Sequence, residues 1–167
     1  MHARCAALVL ATLALFAATP ARGVDLSDDC RPVLAAMEKS VQVDHATVST
    51  HGLEIVRGVT AGGVNYLQVH GAWRRSPLSV QENLAMSREN LKDAQEYTCK
   101  ALPDSIVDGT PVANYATHTV SDATVVDSRI SIAKNSGLAV SVENRHSGDA
   151  GADMVTRYTY GNVKPPM

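Results

Sequence analysis

Five histidines lie beyond the first 40 residues, at His45, His51, His70, His118 and His146. Two imidazoles on one helix face, four residues apart as in His-Glu-x-x-His, would hold a zinc ion, and no pair here has that spacing. Only the convergence of separate strands could bring them onto a metal. Of the three cysteines, Cys5 precedes a long apolar block, which leaves Cys30 and Cys99. Neither has a cysteine or histidine at a ligand-like spacing, and no Cys-x-x-Cys supports redox exchange. A Gly-x-Ser-x-Gly elbow and a Ser-x-x-Lys acylation motif are both missing. So are a P-loop and a dinucleotide fingerprint. Gly58-Val59-Thr60-Ala61-Gly62-Gly63 reads as a hairpin turn rather than a phosphate cradle. Asp28-Asp29 reads as acid at a helix start, where the dipole favours it, rather than as a carboxylate dyad. The residues therefore predict no catalytic group, no metal and no cofactor, and the expectation is a protein that is not an enzyme.

What positions these residues begins with export. Residues 6–18 (AALVLATLALFAA) form an apolar run after Arg4, and Pro20 and small residues follow. A run of about 13 residues falls short of the roughly 20 that span a bilayer. Residues 1–23 are expected to be a cleaved secretory signal, with cleavage after Gly23 or after Ala21. A short membrane anchor is the other reading. Residues 24–167 then form one domain, expected in the periplasm with no stable membrane insertion after cleavage. The whole chain has 167 residues, 15 basic against 17 acidic, and net charge −2. Without Arg4 and Arg22 the balance is 13 to 17, or −4. A mildly acidic chain with scattered basic residues does not bind nucleic acid. In an oxidising compartment the remaining even pair, Cys30 and Cys99, predicts one disulfide across a loop of about 70 residues; two separate buried thiols are the alternative.

Patterning gives the elements. Ser27 is expected to cap a helix whose apolar face is Cys30, Leu34, Met37 and Val41, running to about Asp44. Three strands follow, around Leu53–Val59, Val64–His70 and Ala72–Ser76, punctuated by glycine. Ser79-Val80-Gln81-Glu82 is a capping box, opening a helix with the stripe Val80, Leu84, Ser87 and Leu91 to about Ala94. Five more strands are read over 96–107, 111–121, 124–134, 138–143 and 154–161, with His146–Asp153 as a polar loop. Trp73, the only tryptophan, is either a core anchor under the second helix or the wall of an apolar pocket.

This order, with Gly71-Ala72-Trp73-Arg74-Arg75-Ser76-Pro77 before the second helix, resembles the LolA-like outer-membrane lipoprotein-sorting superfamily. Ile130-Ser131-Ile132-Ala133-Lys134-Asn135-Ser136-Gly137-Leu138-Ala139-Val140 is similar to that family's strand, Gly-Leu turn and returning strand. Tyr158-Thr159-Tyr160-Gly161-Asn162-Val163 with Pro165-Pro166 is similar to its terminal strand. The resemblance implies an α+β fold: a single, strongly curved antiparallel sheet of about eight strands, an incomplete β-barrel covered by two helices. It also implies an apolar hollow for a lipid or a lipoprotein acyl chain. The candidate lining is Ile55, Leu67, Val69, Trp73, Ile130, Ile132, Val140, Val142 and Tyr158. The same positions could instead fill a core. Arg57 is the candidate for the family's lid arginine. The short chain and few aromatics imply a small hollow, or none. The competing expectation is a structural, sensing or protein-interaction module of the envelope that docks a protein partner and holds no lipid.

Overall fold

The computed structural model describes residues 27–122, 124–147 and 154–166. The expected signal at 1–23 and its cleavage site lie outside the described residues, as does most of the expected polar loop before residue 154.

Two helices and nine strands are described: α1 (Cys30–Gln42), β1 (His45–His51), β2 (Glu54–Ala61), β3 (Val64–Val69), β4 (Ala72–Ser79), α2 (Val80–Lys92), β5 (Glu96–Val107), β6 (Thr110–Ser121), β7 (Thr124–Ala133), β8 (Ala139–His146) and β9 (Met154–Tyr160). The strands form one sheet in the order β4-β3-β2-β1-β9-β8-β7-β6-β5. Every pairing is antiparallel. The sheet does not close, since β4 and β5 are both edges. This is the open α+β half-barrel that the resemblance implies, with one strand more than expected.

The added strand is β1. Its sequence, HATVSTH, shows no clean apolar alternation, because Thr47, Ser49 and Thr50 hold positions where aliphatics would mark a strand. It is held instead by backbone ladders on both sides. Each of its seven residues pairs with β2 and with β9.

The first helix also differs from expectation. Its N-cap is Asp29, not Ser27, and no side chain caps it. Asp29 instead accepts a hydrogen bond from the Ala101 backbone N–H at 3.3 Å, tying the helix start to β5. Cys30, Val33, Ala36 and Ser40 are the buried face. Leu34, Met37 and Val41 turn toward α2, where they line a crevice between the helices. Apart from Cys30, the apolar stripe read from the sequence is therefore the helix–helix seam, and Val33, Ala36 and Ser40 face the sheet. The second helix begins as expected: Ser79 accepts from the Glu82 N–H, and Glu82 accepts from the Ser79 N–H at 2.7 Å.

The core lies between α1 and the β5–β8 half of the sheet. Val33 and Ala36 pack on Ile130, Ile132 and Val142, with Met37, Cys99, Tyr115 and Tyr158 around them. Cys30 and Cys99 form a disulfide with Cα atoms 5.1 Å apart. At the other end of α1, the Ser40 hydroxyl donates to the Ala36 carbonyl at 2.7 Å and accepts from the Ala139 N–H at 2.8 Å. The helix is thus fastened at both ends to the same half of the sheet.

Candidate functional site

Strand alternation sorts the sheet's side chains onto two faces. Cys99, Tyr115, Ile130, Val142 and Tyr158 point to the helices. Through the register, Thr47, Gly58 and Leu67 share the Tyr158 face, and His45, Thr60 and Asn65 continue it. The β1–β3 wing of that face is only partly roofed. There, α1 contributes Val41, and α2 contributes Val80 and Asn83, above a cavity of about 320 Å³.

Its floor is shaped by an absence. A Cβ on Gly58 would come within 2.5 Å of the Thr47 hydroxyl oxygen and 3.6 Å of Leu67 Cδ2. A glycine inside a strand often marks such a close approach. Thr47, Leu67 and Val59 complete the wall. A second space of about 210 Å³ opens between the helices, lined by Leu34, Met37, Leu84 and Leu91. Val41 and Asn83 line both spaces, so the two adjoin. The larger sits at the lower end of the volumes typical of small-molecule sites.

Beside the cavity, His45, Tyr158 and Tyr160 form a ring cluster, with centroids 5.6 to 6.3 Å apart. Burial pushes both phenols up, Tyr160 to about 12. The Tyr160 hydroxyl donates to the Ala139 carbonyl at 2.6 Å, and both phenols stay neutral at physiological pH. Across the helix pair, Arg88 donates to Glu38 at 2.8 Å and holds that carboxyl below its usual range. The site offers an apolar recess with polar groups and the Arg88–Glu38 pair at its rim.

The nine residues proposed as lining separate into distinct places. Ile130, Ile132 and Val142 are buried in the core under α1, with Tyr158 at its margin. Leu67 lines the open cavity. Val69 shares its face one pleat on and is exposed. Val140 is half-buried where the β7–β8 register skips a residue. Ile55 lies on the opposite face, beside Thr50, and is exposed. Trp73, half-buried, pairs with Gln68 and so also faces away from Leu67. Arg57, which follows Val56 and pairs with Val48, faces away as well. The sequence reading put Gly58 in a hairpin turn and Val80 on the stripe of the second helix, and gave neither of them, nor Asn83, a part in the site; Gly58 instead lies within β2. The isolated glycine within a strand was the available signal for the first.

No family model and no curated protein matches the chain. Its fold is similar to several solved structures. LprF from Mycobacterium bovis is 10% identical with a TM-score of 0.47, the match covering 84% of this chain and 95% of LprF. The lipoprotein LppX from Mycobacterium tuberculosis is 13% identical with a TM-score of 0.43, covering 84% of this chain and 98% of LppX. MucB, in the structure of its complex with MucA(peri), is 13% identical with a TM-score of 0.47, covering 83% of this chain and 56% of MucB. Each is a distant likeness of chain architecture.

Proposed function

We propose that the protein is a periplasmic, non-enzymatic binder of an apolar ligand, a lipid or a lipoprotein acyl chain, seated between the two helices and the β1–β3 wing. The observation that carries this reading is the cavity of about 320 Å³ floored by Gly58 and roofed by Val41 and Val80, with an apolar crevice adjoining it. Each methylene that enters such a space contributes about 0.8 kcal/mol. The exposed Leu67 and Val69 continue the recess outward along the same face. Native mass spectrometry of the protein purified from the cell envelope tests the reading. The expected result is an adduct in the lipid mass range, lost in Leu67→Glu with the fold intact. A protein free of any adduct, and unable to take up a fluorescent fatty acid, would overturn it.

A second reading, a module that docks an envelope protein without lipid, rests on a different place. Leu53 projects fully exposed from the β1–β2 turn, and Ile55 and Val48 are exposed on the face away from the helices. Cross-linking through Leu53→Cys to a specific envelope protein, with no adduct in the native spectrum, would favour it.

A further inference from the structure

The face that the helices leave bare carries an unused arrangement of charge. Lys100, Ala116, Arg129 and Glu143 are successive cross-strand partners on β5, β6, β7 and β8. Each neighbours a helix-facing residue in sequence, so all four point the other way. The next row holds Asn114, Ser131, Ser141 and Arg157. Two hollows of about 380 and 350 Å³ lie over these rows, and Arg129 and Glu143 line both. They form one groove, with the turn of the β5–β6 hairpin arching over one end.

The floor is built, not merely polar. The Asn114 amide donates to the Pro103 carbonyl at 2.8 Å and to the Ser105 hydroxyl at 2.9 Å, and accepts from the Ser131 hydroxyl at 2.8 Å. Ser141 beside them is 4% exposed and lines the second hollow. Among the described residues its hydroxyl has no side-chain hydrogen-bond partner.

The charges are equally specific. Arg157 is engaged by Asp108 and His118 by Asp127. Lys100, Arg129 and Glu143 have no ion-pair partner among the described residues. Lys100 and Arg129 flank Ala116, whose methyl leaves a notch between two cationic arms about two strand spacings, or ~10 Å, apart. Two cations flanking a notch suit a phosphate group, bound by charge-assisted hydrogen bonds. The carboxylate one strand beyond Arg129 suits an ammonium. We propose that the bare-face groove binds a zwitterion of the phosphoethanolamine type, with its phosphate over Ala116 between Lys100 and Arg129 and its ammonium at Glu143. The site is separate from the helix-face cavity and does not depend on it.

The test is a titration of the full chain with O-phosphoethanolamine, read from the backbone amide shifts of Ala116, Arg129 and Glu143. The expected result is saturable binding, weakened at least tenfold by Arg129→Gln and by Glu143→Gln. Unchanged thermal midpoints of the variants show that the fold is intact. Inorganic phosphate should bind at least tenfold more weakly, because Glu143 then faces no ammonium. No saturable shift, or equal binding of inorganic phosphate, or indifference to both charge variants, overturns the proposal. Vesicles separate the sources of the headgroup. Co-sedimentation with phosphatidylethanolamine but not phosphatidylglycerol assigns a lipid-borne group, and sedimentation with neither assigns a free one. Equal sedimentation with both overturns the zwitterion.

Discussion

Asp108, in the turn of the β5–β6 hairpin, reaches Arg157 on β9 at 3.1 Å, although β7 and β8 lie between β6 and β9 in the sheet. The hairpin therefore folds back across the bare face. Both residues of its turn, Asp108 and Gly109, have positive φ, as a two-residue hairpin loop requires. The register shift between Leu102 and Ser105, next to Pro103, bends the edge strand so that the tip can arch over. The ion pair is mostly solvent-exposed, so Asp108→Asn should change stability by no more than about 0.5 kcal/mol. Amide exchange over residues 104–110 should nonetheless quicken, and unchanged exchange there would show that the pair does not hold the arch.

Ile132 and Leu67 should separate the core from the cavity. Ile132 is 7% exposed against Val33 and Ala36, so Ile132→Ala should cost about 2–5 kcal/mol. Leu67 is half exposed, and Leu67→Ala should cost far less while weakening uptake of a fluorescent fatty acid. Urea unfolding of the two variants, beside the uptake assay, makes the comparison; equal destabilisation would show that the cavity wall is core.

The disulfide spans 69 residues and fastens α1 to β5. In the chain-entropy model a loop of that size contributes about 4 kcal/mol. Denaturant unfolding with and without reductant should show a loss of that order, matched by the Cys30→Ala/Cys99→Ala double variant.

His118 should make a small part of stability depend on pH. Its hydrogen bond to Asp127, at 2.7 Å, raises its pKa above the usual 6.5, with Asp127 and Glu96 adding attraction. The folded chain therefore keeps this proton to higher pH than the unfolded chain. The contribution is fully present below about pH 6.5 and is lost as pH rises through the folded value. An NMR titration should find the His118 pKa lower in Asp127→Asn than in the parent.

Ser79 should show the worth of the capping box. Ser79→Ala removes the acceptor for the Glu82 N–H and should cost about 1 kcal/mol, with Glu82 regaining a more ordinary carboxyl pKa. Thermal denaturation and carboxyl-resolved NMR would read the two effects.

The most legible elements were those whose local chemistry decides them. The Ser79–Glu82 box depends on contacts within a few residues, the strand over 96–107 ends at the local Asp108-Gly109 turn, and both stand as read. The Cys30–Cys99 bond was legible because only one pairing remained after Cys5 was set aside. The first strand was hidden, because neighbours on both sides stabilise it rather than its own alternation. The cavity was legible only as a class of residue. Ile132 and Leu67 look alike in sequence, and what separates them is that α1 lies over one and stops short of the other. Gly58 and the hydroxyl row on the bare face acquire meaning only once the register sets them side by side.

The pairing of β1 with β9 has a consequence in time. Before residue 160 has left the ribosome, the chain holds two separate ribbons of four strands, one made early and one made late. The seam between them joins the first described strand to the last, so it cannot form until β9 has been made. Without β9 the sheet should fall into two four-stranded ribbons, held together only through the helices and the Cys30–Cys99 bond.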